Sequence, residues 1–382
     1  SYLSEDRGRY RRPIVTNVYR EAIELYDRHL YEKGACVYHM IRAELGDDLF
    51  KQAIATFVRD NAHRTVETVD LLRAIETATG RNLQPLFDRY VYRGGHPDFK
   101  VGYSWDGESN LAKVTITQTQ AKDGNTIYDR DLFELKIAIG FAYVCDGNPE
   151  LKTVAVQVKE KEQSFYFPLE SKPQFISFDV GNPILKTVEL EYPVTEIKAQ
   201  LQFDPDPISR IYAAQALAKK GGLEAAKALV EALKRDRFWG VRAEVAEQLG
   251  SLKSEGVFEG LVAGLQDGDA RVRRAVVEAL ANTKTRASYK AVKSILKHGD
   301  PSYYVEATAA RAIGAIGSAK LDDGVKEEKV LKKLTEVLET KAGWNEVVRS
   351  GAIGGLSRFK GSEAALDAIL VYTAAGTPQP LR

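Results

Sequence analysis

The apolar positions change their period twice along the chain. From about Tyr19 to Arg93 they recur at helical spacing, and Ala35, Val37, Met40, Ile41 and Leu45 form one stripe. Gly46 stands where a C-terminal cap belongs. A second helix is predicted over about Asp48–Asp60, with Phe50, Ile54, Phe57 and Val58 inward. A third follows Thr68-Val69-Asp70, carries Leu71, Leu72, Ile75 and Ala78 on its apolar side, and ends at Gly80. Leu83 to Tyr92 reads as a further, aromatic helix stopped by Gly94-Gly95.

After His96-Pro97 the period falls to two. Lys113 to Gln118, Phe133 to Ile137 and Val154 to Val158 alternate, and Ser164 to Leu169 and Phe175 to Val180 complete at least five strands. Turn signals separate them, at Asp123-Gly124-Asn125 and Asp146-Gly147-Asn148-Pro149. The spacing predicts a small antiparallel sandwich.

From Asp204 the helical period returns, and here it repeats. Segments beginning at Ser209, Val241, Val272, Val305 and Val348 align in phase. Successive starts lie roughly 31 to 33 residues apart, and the last interval is longer by about ten, around Lys320 to Lys329, which reads as an inserted loop. Each unit has a second apolar helix, such as Ala225 to Leu233 or Phe258 to Leu265. Neither helix buries its stripe alone, so stacked units resembling short HEAT repeats are expected.

Composition changes this picture little. The 382 residues suggest two or three domains. With 54 basic and 53 acidic residues the net charge is +1, which supplies no electrostatic argument for nucleic acid or an anionic membrane. No apolar run approaches the roughly 20 residues of a membrane helix. The chain opens on Ser1 without a charged-then-apolar leader, as expected where a start has been removed. Two cysteines, Cys36 and Cys145, are too few for a disulfide scaffold and are expected in different domains.

The most informative string is Tyr31-Glu32-Lys33-Gly34-Ala35, ahead of an apolar helix ending Glu44-Leu45-Gly46-Asp47-Asp48-Leu49-Phe50. It resembles the segment of aminopeptidase N family enzymes that carries their catalytic tyrosine, and Tyr31 falls on that position. The likeness continues through Phe50-Lys51-Gln52-Ala53-Ile54, Ala74 to Gly80, Phe87-Asp88-Arg89-Tyr90-Val91 and Gly95-His96-Pro97. In that family of gluzincin metallopeptidases such a run closes a thermolysin-like catalytic domain. A β-sandwich and a helical domain follow it.

The resemblance implies a zinc enzyme that removes N-terminal residues from peptides. A carbonyl attacked by water becomes an oxyanion, and a neutral phenol, whose ordinary pKa is about 10, is a good donor to it. Tyr31 is therefore the candidate catalytic residue. The zinc of this family needs His-Glu-x-x-His plus a later Glu. None of His29, His39, His63, His96 and His298 forms that pair. The ligands are expected in the N-terminal remainder of a parent protein, so this chain alone is expected to bind no catalytic zinc and to be inactive. His39 is expected to be a half-buried packing residue. His29 either packs or lines a cleft, and Cys36 reads as a small apolar residue on a helix.

Arg210, Arg242, Arg273 and Arg349 recur at one position of the repeats, where Glu306 interrupts them. They either bind a ligand as a basic ladder or bridge neighbouring repeats through acids such as Asp206, Asp236 and Asp269.

The expected fold is multidomain α and β: a helical remnant of a thermolysin-like domain over 1–97, a small β-sandwich over 98–200, and an α-solenoid of HEAT-like repeats over 201–382. The expected partners are peptide substrates. The alternative function is a non-catalytic scaffold that uses the repeats to hold other proteins.

Overall fold

The apolar stripe from Ala35 to Leu45 becomes α2 (Gly34–Leu45), which buries Val37, Met40, Ile41 and Leu45 and stops where Gly46 adopts φ 79°, a value that asks for glycine. In the computed structural model of the protein, residues 1–121, 132–319 and 325–382 are described. The turn expected at Asp123-Gly124-Asn125 lies outside them. So does the start of the loop expected from Lys320.

Contacts divide the chain into two units, residues 1–145 with 150–192 and residues 146–149 with 193–382. The first unit opens with α1 (Tyr2–Gly8), a 3-10 turn at Ala22–Leu25 and a π-helical turn at His29–Lys33 that runs into α2. Helices α3 (Asp47–Asp60), α4 (Thr68–Thr79) and α5 (Gln84–Tyr90) follow. A capping box between Glu67 and Asp70 starts α4, and Gly80 in the left-handed region ends it. These helices share one core, in which Ile41, Ile75, Phe87 and Tyr90 are central. Phe50, Ile54 and Phe57 pack against it. Val58, expected inward, is instead 62% exposed. Ala53 takes the inner position, because the stripe on α3 drifts by one residue.

Among the described residues seven strands follow: β1 (Asp98–Asp106), β2 (Leu111–Gln118), β3 (Leu135–Cys145), β4 (Asn148–Val158), β5 (Glu162–Pro168), β6 (Phe175–Phe178) and β7 (Thr187–Glu191). They form sheets of order β5-β2-β1-β7 and β4-β3-β6. Phe99 of β1 meets Phe178 of β6 at 5.4 Å, and Phe141 of β3 meets Phe167 of β5 at 4.9 Å. These pairs join the inner faces of a sandwich. It is not wholly antiparallel. β7 pairs parallel with β1, in the register Phe99↔Val188, because the chain returns to that edge over a long connection.

The second unit starts at Pro193, so a boundary at 200 falls inside its first helix, α6 (Val194–Phe203). Five helix pairs stack after it. They are α7 (Pro207–Lys220) with α8 (Gly222–Arg235), α9 (Trp239–Leu249) with α10 (Val257–Gly264), and α11 (Ala270–Thr283) with α12 (Arg286–His298). Then come α13 (Tyr303–Gly317) with α14 (Glu327–Thr340), and α15 (Val347–Leu356) with α16 (Glu363–Leu370). Lys329 thus belongs to the first turn of α14 and not to a loop. α13 and α15 approach closely. A methyl built on Gly351 would lie 2.7 Å from the Cα of Ala307, so only glycine lets the backbones meet. No helix among the described residues is long and apolar enough to cross a membrane.

The recurring arginines bridge repeats, and they choose partners in the next unit's loop. Arg210 grips Asp236 through Nε at 2.7 Å and Nη2 at 3.0 Å, and its Nη1 donates to the Asp204 carbonyl at 2.8 Å. Arg242 holds Asp267 and the Asp236 carbonyl in the same way, and Arg273 holds Asp300 and the Asp267 carbonyl. Of the acids expected as partners, Asp236 serves. Asp206 and Asp269 instead cap α7 and α11 through the amides of Ile208 and Arg271. In the fourth repeat the polarity reverses: Glu306 accepts from the Asp300 amide and pairs with Lys341 at 3.2 Å. Arg349 pairs with Glu346 at 3.0 Å and lies over the Tyr372 ring.

Candidate active-site face

Tyr31 sits in the middle of the π-helical turn His29–Lys33, closed by a hydrogen bond from the Lys33 amide to the Arg28 carbonyl at 3.0 Å. Such turns are rare and occur often at functional sites. The alternation along it is sharp. His29 and Lys33 are wholly buried, whereas Tyr31 is 58% exposed, its ring 6.1 Å from that of Tyr26. The turn therefore clamps two polar side chains below and presents the phenol above.

Asp27 anchors the entry. It accepts from Arg12 at 2.6 and 2.8 Å, from the Tyr10 hydroxyl at 2.6 Å and from the Leu30 amide at 2.9 Å. Burial alone would raise its carboxyl, but these donors outweigh it and hold it at about 2. The hydrogen bond to Asp27 in turn pushes the Tyr10 phenol up to about 12.

Beneath, the His29 ring stacks on Tyr10 at 5.1 Å and meets the edge of Tyr2. Its nitrogens lie 3.5 Å from Asp27 and 3.5 Å from Asp6. Tyr2 donates to Asp6 at 3.2 Å and stands 3.2 Å from His96, which in turn lies 3.4 Å from Asp98. Burial, reinforced by Asp6, drives the Tyr2 phenol well above its ordinary range. Burial would also raise Asp6, but paired Arg11 at 2.7 Å holds its carboxyl below the usual value. Asp98 is likewise held low against its burial, by His96, Thr187 and Arg7.

Lys33 closes the turn. Its Nζ donates to the Arg93 carbonyl at 2.8 Å and rests 5.9 Å from the centre of the Tyr2 ring. Burial lowers it to about 8, only partly countered by Asp6. A sign follows for stability. Below about 8 both folded and unfolded chains carry this proton, and between about 8 and 10.5 only the unfolded chain does, so Lys33 favours folding increasingly as pH rises through that window. Melting temperatures of wild type and Lys33→Met across that range check this. Wild type should gain on the variant as pH rises, and a constant gap would show that Lys33 titrates normally.

His29 is thus a buried packing residue and lines no cleft. His39, expected half-buried, is exposed on α2. Cys36 and Cys145 are free, the first half-buried on α2 and the second exposed. The sequence pattern gave no supporting role to Asp27, Lys33, Tyr2, Asp6 or His96. The one local hint was the pairing of Tyr10-Arg11-Arg12 with a lone Asp27, since the remaining partners are up to 94 residues apart.

Among the described residues, one group of metal-ligand type converges: Glu5, Asp27 and His29. It does not fit the catalytic zinc of the resembled family. Asp27 is already saturated by Arg12, Tyr10 and the Leu30 amide, Glu5 lies 3.5 Å from Arg28, and His29 has no face toward solvent. A hydrolytic zinc needs an open coordination position, which a cluster sealed in this way does not offer.

The chain is similar to known proteins. The peptidase family M1 domain matches residues 1–90, and HEAT repeats match residues 194–281 and 258–342. Aminopeptidase N of Haemophilus influenzae is 24% identical over 222 residues, covering 56% of this chain and 25% of its own length. Aminopeptidase 2 of Candida albicans is 23% identical over 261 residues, covering 67% of this chain and 28% of its own. The first 90 residues thus resemble peptidase family M1, and both of these relatives are aminopeptidases. The chain spans about a quarter of the length of those two curated relatives. A crystal structure of Legionella pneumophila aminopeptidase A shares the fold, with a TM-score of 0.57 at 20% identity over 94% of this chain and 43% of that one. The matched peptidase segment contains the Tyr31 turn and its supports Asp6, Asp27, His29 and Lys33. His96 and Asp98 complete the network from beyond it.

Proposed function

We propose that this chain supplies the oxyanion-donating tyrosine, and a solenoid that limits peptide access, to a zinc-dependent aminopeptidase acting on peptide N-termini. The observation that carries the reading is the placement of Tyr31. Within a segment matched by the peptidase family, an exposed phenol stands on a rare turn whose His29 and Lys33 side chains are locked in a buried network. Zinc in this family polarises and activates the attacking water. The residues present here do not form such a site, so the complete protein would hold its metal elsewhere. Tyr31 would donate to the substrate carbonyl oxygen as negative charge develops on it, and the buried His29 and Lys33 would keep its main chain from shifting. The three parts of this reading are the peptidase segment over 1–97, the sandwich from 98 to Tyr192 and the helical repeats from Pro193.

Two preparations test it: this chain by itself, and the complete protein. The chain by itself should hold no stoichiometric zinc by metal analysis and should not hydrolyse an amino-acid anilide. The complete protein should do both. One tightly held zinc and turnover in the chain alone would overturn the division of labour, and an inactive, zinc-free complete protein would overturn the enzyme reading.

A further inference from the structure

The buried positions of β2 are Ala112, Val114, Ile116 and Gln118, an alternating stripe whose last member is polar. A buried amide is costly unless both of its ends find partners. Here they do. Gln118 Oε1 accepts from the Phe133 amide at 2.9 Å, and its Nε2 donates to the Phe133 carbonyl at 2.9 Å and to the Glu160 carbonyl at 3.1 Å. The side chain thus pairs with both main-chain groups of Phe133, as a neighbouring strand would.

Phe133 leads into β3, yet its ring belongs to the helical core. It lies 5.3 Å from the Tyr90 ring, and the Arg93 guanidinium stands 4.3 Å from its centre. Arg93 Nη1 also donates to the Leu132 carbonyl at 3.0 Å. Residues 91–97 join α5 to β1 outside regular structure, so the Arg93 carbonyl takes its place from what holds the Arg93 side chain. That carbonyl accepts from Lys33 Nζ at 2.8 Å, and Lys33 ends the turn that carries Tyr31. Gln118, Phe133 and Lys33 are buried by this chain's own residues, within one compact unit.

We infer that Gln118 is a positioning residue for the Tyr31 turn: by fixing Phe133 it fixes Arg93 and, through the Arg93 carbonyl, the buried Lys33 that ends the turn. Its effect on rate rests on the proposed role of Tyr31. The link from sandwich to turn rests on contacts within this chain alone.

The link is tested in this chain by itself, isotope-labelled at its lysine side chains and titrated by NMR, with Lys33→Met identifying the signal. Burial sets Lys33 at about 8. Gln118→Met keeps the length of the side chain and removes its hydrogen bonds without changing charge. It should move the Lys33 midpoint up by about one pH unit, toward the ordinary value, as water reaches the turn. An unmoved midpoint would sink the inference whatever Tyr31 does.

The rate is tested in the complete protein with a peptide substrate. Gln118→Met and Arg93→Met should each lower kcat by about ten- to a hundredfold, the cost of displacing a catalytic group by about 1 Å, with KM within about twofold. Arg93→Met keeps the main-chain carbonyl for Lys33 and cuts the path at Leu132 instead. The double variant should lose no more than the worse single one, because both cut one path. Val114→Ala, which opens a cavity in the same strand away from the path, should lower the melting temperature and leave kcat within about twofold. Equal kcat losses in Val114→Ala and Gln118→Met at matched melting temperature would show general loosening and sink the inference. Single variants with wild-type kcat, or losses that multiply in the double variant, would sink it too. Tyr31→Phe with undiminished kcat would overturn the effect on rate and the donor reading together, and the lysine titration separates the link from both.

Discussion

In the complete protein, Tyr31→Phe is expected to lower kcat by about two to three orders of magnitude with KM nearly unchanged, the size of one lost oxyanion donor. The change removes a single hydroxyl. The ring of Tyr31 is 58% exposed, and the turn beneath is held by His29, Lys33 and Asp27 rather than by the phenol. Folding and metal content should therefore stay as they are. The hydroxyl matters most when charge has moved onto the carbonyl oxygen, which is why the loss appears in kcat and not in affinity. Steady-state kinetics on the folded, metal-loaded variant decide the matter. Retention of more than about a third of wild-type kcat would mean that Tyr31 is not the donor. A fall in melting temperature with a proportionate loss of rate would instead mark it as a packing residue.

The second large effect concerns stability of the repeat unit. Arg210→Met should destabilise it by about 3–5 kcal/mol, because it leaves a buried carboxylate without its counter-ion. The Arg210 side chain is 2% exposed and that of Asp236 is 5% exposed. The lost groups also served the Asp204 carbonyl. Methionine keeps the aliphatic stem, so little packing is lost and the cost reports on the ion pair. The double variant Arg210→Met/Asp236→Leu should recover much of the loss, since an ion pair replaced by apolar groups of similar size is often close to neutral. Thermal or denaturant unfolding of the three variants measures the cycle. If the single substitution costs under about 1 kcal/mol, the pair behaves as a surface salt bridge and the bridging role of the ladder is overstated.

The peptidase-like segment around Tyr31 and the repeat array were legible in the sequence for related reasons. The string from Tyr31 to Ala35 is contiguous, and each repeat draws its apolar stripe from one short segment, so neighbouring letters carry the signal. The stripe of α2 and its stop at Gly46 were legible for the same reason, since a 3.6-residue period and a left-handed terminus are local properties. Strands β2 to β6 showed through their alternation. β1 and β7 did not, and their parallel pairing depends on which edge the returning chain meets, a question of topology rather than of period.

The tertiary structure alone decided the rest. The recurring arginines left a ligand ladder and an interrepeat bridge both open, and of the three acids named as partners only Asp236 serves, because each carboxylate comes from a loop 25 to 27 residues further on. Whether Asp236, Asp267 and Asp300 serve as partners while Asp206 and Asp269 serve as caps depends on where stacking places each loop. At the candidate site the sequence by itself singled out Tyr31 as the proposed donor. That His29 and Lys33 turn inward while Tyr31 turns out is set by the π-helical turn, which no local pattern foretold. The carboxylates and imidazoles under it come from Asp6, Asp27, His96 and Asp98, and folding had to bring α1, the turn and the first strand together before they could act as one network. Local periodicity reports which side of an element is apolar. It does not report which buried polar groups will find one another, because those contacts are chosen by three-dimensional packing and by the high cost of leaving any of them unpaired.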